Sequence, residues 1–169
     1  SASRGFWIGL AVVIGFAFGT IFNQRFDKLH QQLHYQAEKD ALTGIANRRV
    51  LEATLEREFA VARRGNHWLT VMMVDVDNFK QFNDALGHTE GDRVLKMVAR
   101  TLEGVTRFGQ DTVARYGGEE FVLVLANTSP ATARQIAEKI RMAVYDLGVK
   151  HGDGTGRRLT VTIGLACGL

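Results

Sequence analysis

Two adjacent glycines, Gly117 and Gly118, restrict the fold of this chain more than any other feature. They stand between Val113-Ala114 and the apolar run Phe121-Val122-Leu123-Val124-Leu125. An unbroken apolar, β-prone run of that length reads as a buried strand. Glycine takes positive φ without steric cost, so the pair predicts a tight hairpin whose backbone can come close to another molecule. Directly after it stand Glu119 and Glu120. Two carboxylates beside a turn that can accommodate phosphate make chemical sense mainly with a divalent cation between them. An exposed acidic hairpin tip is the plainer alternative.

A second acidic site lies upstream. Leu69-Thr70-Val71-Met72-Met73-Val74 predicts a strand that runs into Asp75-Val76-Asp77. Asp77 precedes Asn78-Phe79-Lys80-Gln81-Phe82, which looks like a helix start, and so predicts an N-cap. Asp75 differs. By two-residue alternation it continues the face of Leu69, Val71 and Met73, where a carboxylate is costly unless something cationic meets it.

The other segments interleave helices and strands. Helical spacing appears in Leu51, Leu55, Phe59 and Ala62, and again in Leu95, Val98, Ala99 and Leu102. A further helix opens at Ser129-Pro130 and continues through Ala133, Ile136, Ala137, Ile140 and Val144. Leu159, Val161, Ile163 and Leu165 alternate as a late strand, and the glycine-rich stretch Leu147 to Arg158 predicts a flexible loop. This order predicts an α/β domain, a ferredoxin-like α/β sandwich.

Gly5 to Phe22 carries no charge, with Arg4 before it and Arg25 and Lys28 after. As a helix it would reach about 27 Å, close to the ~30 Å hydrocarbon core of a bilayer. Residues 1–22 are therefore expected to form a transmembrane helix, a signal peptide being the competing reading. The basic residues after it would leave the rest of the chain in the cytosol, at the inner (cytoplasmic) membrane. Residues 23–39 follow as a helical linker. Phe22, Phe26, Leu29, Leu33 and Gln36 keep the 4-3-4-3 spacing of a coiled-coil seam, although an amphipathic helix on the bilayer or the domain would show the same pattern. Of 169 residues, 46% are hydrophobic and 23% charged, which suits one domain of roughly 130 residues behind an anchor. The net charge of +3 is compatible with a nucleotide or an anionic bilayer. No basic stripe interleaved with aromatics points to DNA or RNA, so no nucleic-acid partner is expected. The single Cys167 excludes an internal disulfide.

Four segments, in order, resemble the signatures of one family. They are Asp40-Ala41-Leu42-Thr43-Gly44-Ile45-Ala46-Asn47-Arg48-Arg49, Asp75 to Asp84, Gly87-His88-Thr89-Glu90-Gly91-Asp92, and Gly117-Gly118-Glu119-Glu120-Phe121. The family is that of the GGDEF domains, the diguanylate cyclases, which condense two GTP into cyclic di-GMP and release pyrophosphate. The resemblance spans residues 40–169 and implies a palm-like nucleotide cyclase/polymerase architecture. It implies Asp75, the Val76 carbonyl and Glu119 as ligands of Mg²⁺, two ions per active site, with Mn²⁺ as a substitute. Glu119 would also be the base for the attacking 3′-hydroxyl, Glu120 would share or tune that site, and Lys80 would neutralise charge on the phosphates. Asn83 and Asp92 would read guanine, and His88 would contact the same nucleotide. Because each GTP attacks the other, a homodimer is implied. The other readings are a non-catalytic receptor for GTP or cyclic di-GMP, and a dimerisation module with no nucleotide role.

Two departures from the family pattern stand out. The inhibitory product site of many cyclases is an Arg-x-x-Asp motif, and here Phe108 replaces its Arg while Asp111 is kept and Arg107 lies one position off. The sequence also stops at Leu169, where the family pattern continues into a helix and a last strand. The chain is thus expected to be a piece of a longer protein, its catalytic domain incomplete at the C-terminal end.

Overall fold

A computed structural model of the chain describes residues 38–152 and 154–168. In chain order these form helix α1 (Arg48–Gly65), strand β1 (Leu69–Val76), helices α2 (Phe79–Leu86) and α3 (His88–Val105), strands β2 (Thr112–Gly117) and β3 (Glu120–Ala126), helix α4 (Pro130–Asp146) and strand β4 (Val161–Gly168). The strands make one sheet in the order β2-β3-β1-β4, with every neighbouring pair antiparallel. That is the ferredoxin-like arrangement expected, with helices crossing between β1 and β2 and between β3 and β4.

Side-chain alternation sorts the apolar residues onto the two faces. Met72, Val74 and Val76 of β1 join Phe121, Leu123 and Leu125 of β3 in a core closed by α2, α3 and α4. Leu69 joins Val122 and Val124 in a smaller core under α1. The helical stripe of α3 is buried throughout, at Val94, Leu95, Val98, Ala99 and Leu102. Fully burying a side chain of this size contributes roughly 1.5–3 kcal/mol. Caps fix two helix starts. Asn47 accepts a bond from the Val50 amide at the head of α1, and Ser129 accepts one from the Thr132 amide at the head of α4.

Several expectations need correction. Asp77 does not cap α2, whose N-cap is Asn78 in the left-handed region (φ 55°) without a side-chain bond. The Asp77 carboxylate instead accepts the hydroxyls of Thr160 (2.6 Å) and Thr162 (2.7 Å), tying the end of β1 to β4. Phe59 of the α1 stripe is 64% exposed, because only the Leu51 and Ala62 ends of that stripe are buried. The stretch Leu147 to Arg158 is pinned by a Lys150–Arg158 β-bridge.

The expected transmembrane helix (1–22) lies outside the described residues, as does the helical linker (23–39) except for Glu38 and Lys39. Among the described residues no helix is long and apolar enough to cross a membrane. The inner-membrane localisation is corrected on that finding: nothing in the described structure supports a membrane span.

Candidate active site

The turn between β2 and β3 is made by Gly118 and Glu119, with Gly117 and Glu120 paired across it. It sits one residue later than the glycine pair suggests, because the register slips between Arg115 and Gly117. Gly118 takes φ +51°, the left-handed conformation that a residue with a Cβ rarely adopts. Arg115 braces the turn. Its Nε and Nη2 donate to the Gly118 carbonyl at 3.0 and 2.8 Å, and its Nη1 donates to Asp40 at 3.2 Å. Asp40 also accepts the Thr43 amide and hydroxyl, at 2.9 and 2.6 Å. Burial alone would raise the Asp40 carboxyl, but the Thr43 bonds and the Arg115 guanidinium hold it below the usual carboxylate range.

Beside the turn, Asp75 pairs in register with Glu120 of β3 and Thr162 of β4, so all three side chains share one face. Burial first, then the charges of Glu119, Glu120 and Asp77, push the Asp75 carboxyl above its ordinary value. Among the described residues, no Lys or Arg forms an ion pair with Asp75, Glu119 or Glu120. Crowded carboxylates without a cation fit a hard divalent ion. No three His, Cys, Asp or Glu among the described residues could encage a metal by themselves. That also suits an ion of the Mg²⁺ type, which uses one or two carboxylates and completes its shell with phosphate and water. Val76 is buried at this edge, its amide donating to the Glu119 carbonyl at 3.4 Å.

A cleft of about 520 Å³ opens next to the turn. Lys80 and Asn83 of α2, His88 and Asp92 of α3, and Glu119 all line it. Gly87 (φ +85°) joins the two helices in a sharp corner, which folds Asn83 and Asp92 toward one another from successive elements. Asn83 Oδ1 is buried against α3 and has no hydrogen-bond partner among the described residues. The close approach of α3 depends on Gly91, where a Cβ would overlap Asn83 Oδ1 and stand 3.1 Å from Phe79 Cζ.

The structure thus gathers Lys80, Asn83, His88, Asp92 and Glu119 at one cleft, with Asp75, Val76 and Glu120 at the adjoining sheet edge. Sequence reasoning gave no role to Arg115 or Asp84, which line the same cleft, nor to Asp40 and Gly91, which shape it. A lone cation one strand residue before a glycine turn was the available signal for Arg115. The set offers a cation-binding edge, two basic side chains for an anion, and an amide-and-carboxylate wall for a base. At the first departure, where Phe108 replaces the expected Arg, Asp111 already has a partner. Arg107 engages both oxygens of Asp111 (2.7 and 3.0 Å), whose side chain is fully buried, while Phe108 stands wholly exposed.

Comparison with known proteins agrees with this geometry. Residues 37–169 match the family model described as "Diguanylate cyclase, GGDEF domain". The diguanylate cyclase DgcM of Escherichia coli is 41% identical over 143 residues, covering 82% of this chain and 33% of its own length. The chain therefore spans about a third of the curated relatives it matches. Among solved structures, the coiled coil and GGDEF domain of DgcB from Caulobacter crescentus, in complex with c-di-GMP, aligns with a TM-score of 0.82 at 30% identity. That alignment covers 91% of this chain and 81% of the other. The active GGEEF domain of a diguanylate cyclase from Vibrio cholerae aligns with a TM-score of 0.66 at 34% identity, covering 73% of this chain and 76% of its own.

Proposed function

Because this chain belongs to the GGDEF diguanylate cyclase family, we propose that it condenses two GTP molecules into cyclic di-GMP and releases pyrophosphate. The observation that carries the reading is a single cleft lined by Lys80, Asn83, Asp92 and Glu119. Guanine presents N–H donors beside an O6 acceptor, a pattern that the carboxamide of Asn83 and the carboxylate of Asp92 would meet and adenine would leave mismatched. Asp92 would accept from the same edge, and His88 would contact the same nucleotide.

Asp75, Glu119 and the Val76 carbonyl would hold the divalent cations, Mg²⁺ with two per site and Mn²⁺ as a substitute. When bound, such ions neutralise triphosphate charge and favour loss of the hydroxyl proton. Glu119 takes the proton from the 3′-hydroxyl of the incoming nucleotide. The new bond joins that oxygen to the α-phosphorus of the second GTP, and the bond to pyrophosphate breaks. Lys80 offsets the charge that collects on the leaving phosphates. Glu120, paired with Asp75, tunes the acidic edge. Each GTP is both nucleophile and electrophile, so two protomers, residues 40–169 of each, must face one another. Product feedback through an Arg-x-x-Asp site is not expected, since Arg107 already occupies Asp111.

The test is cyclic di-GMP formation from GTP and Mg²⁺ by the dimeric protein, beside Glu119→Ala. Product that disappears in the variant supports cyclase activity and the role of Glu119 together. A folded, GTP-binding dimer that makes no product would instead favour a nucleotide receptor.

A further inference from the structure

His151 is a buried polar residue, 8% exposed, in a segment that the chemistry above leaves unused. Its position is fixed from both sides. Its amide donates to the Arg157 carbonyl at 2.9 Å, and the Leu159 amide donates to the Val149 carbonyl at 2.8 Å. With the Lys150–Arg158 bridge, these bonds make a short antiparallel ribbon. The Arg158 guanidinium lies 4.7 Å from the Tyr145 ring centre and ties that ribbon to α4.

The ribbon bears on α2. The His151 ring meets Phe82 edge to face, with ring centres 5.8 Å apart and an interplanar angle of 76°. Phe82 is parallel to Phe79 at 6.2 Å, and Phe79 lies against Gly91 of α3. A Cβ at the neighbouring Gly152 would overlap the side chain of Leu86, the last residue of α2. Helix α2 carries Lys80 and Asn83, so its inner surface rests on this stack and its end rests on Gly152.

From this packing we propose that His151 is a positioning residue for the base-binding side of the cleft: through Phe82 and Phe79 it sets the pose of α2 and hence of Asn83. The acidic edge at Asp75 is built on β1, β3 and β4 and does not depend on that stack. Loss of the ring thus affects nucleotide affinity and base choice, not the metal requirement. This rests on the cyclase reading above.

The test measures GTP and ATP binding by calorimetry with Mg²⁺, together with KM, kcat and Mg²⁺ dependence. His151→Ala is expected to weaken GTP about three- to tenfold, the worth of one aromatic contact. The GTP-over-ATP preference narrows as well, with Mg²⁺ dependence little changed. His151→Phe keeps the ring edge and restores affinity. Gly152→Ala, which pushes on Leu86 from outside, weakens GTP in the same way and serves if His151→Ala fails to fold. Folded variants that bind GTP as the parent does, or that lose kcat at constant affinity, overturn the inference. Failure of the parent protein to bind GTP would refute the nucleotide reading itself.

Discussion

Single atoms shape one wall of the cleft. Asn83 Oδ1 is buried without a partner, and α3 passes close to it at Gly91, where a Cβ would overlap that oxygen. Gly91→Ala would gain about 1 kcal/mol of helix propensity and lose about 1–3 kcal/mol to overpacking. The net loss of up to about 2 kcal/mol should lower the melting temperature by at most several degrees, whereas Asn83 must shift and GTP should bind at least about tenfold more weakly. Calorimetry showing parental affinity would remove Asn83 from the site. Asp75 gives a prediction of opposite sign. Its folded-state carboxyl is raised by burial and then by Glu119, Glu120 and Asp77. Such a group contributes stability below its unfolded value and loses it as pH rises through the raised one. At neutral pH without metal, Asp75→Asn should melt higher than the parent, and the gap should close at acid pH. Mg²⁺ should then stabilise the parent and leave the variant unmoved; equal stabilisation by Mg²⁺ would show that Asp75 is no ligand. The strand end at Asp75 and the helix that follows it were legible in the sequence because apolar alternation and a helix start are local signals. The true roles of Asp40 and Asp77 were not, since their partners Arg115 and Thr160 lie 75 and 83 residues away.

The elements repeat that division between local and distant information. Apolar periodicity located α3, α4, β1 and β3, and the cap at Ser129 with Pro130 marked a helix start correctly. What periodicity could not reveal is how the hairpin turn is held, since Arg115 within the hairpin is itself anchored by Asp40 from outside it. Arg115 spans from the Gly118 carbonyl to Asp40, at the entrance to the domain, and so links the turn bearing Glu119 to the segment before α1. The Asp40 carboxyl is held low by Thr43 and Arg115 against its burial. A depressed carboxyl contributes stability above its unfolded value and loses it as pH falls through the folded value. Asp40→Asn should therefore cost about 1–3 kcal/mol at neutral pH, measured by urea unfolding, and less as the medium is acidified. Arg115→Ala should cost a similar amount, and the double variant should show coupling of about 0.5–3 kcal/mol. Strictly additive losses would mean that the bridge does not brace the turn.

At the scale of the whole molecule, the sheet brings Asp75, Glu119 and Glu120 to one end, and α2 and α3 carry Asn83 and Asp92 beside it. On the proposed function, each protomer would bind one GTP in the cleft. Nothing in that arrangement lets one GTP attack itself to give a two-base ring. In the proposed reaction a symmetric pair would supply the second nucleotide, each protomer's Glu119 serving the attack by its own GTP. A ring needs two such attacks, so a pair with one disabled protomer can close only one bond and stops at the linear dinucleotide. Mixing parent protein with an equal amount of Glu119→Ala therefore distinguishes the arrangements. With random exchange, half the parent protomers sit in mixed pairs, and cyclic product per parent protomer should fall to about half. Linear pppGpG should appear alongside it, detected by chromatography. If cyclic output per parent protomer stayed constant across the mixing series, each protomer would be closing the ring alone, and the paired-site mechanism would be wrong.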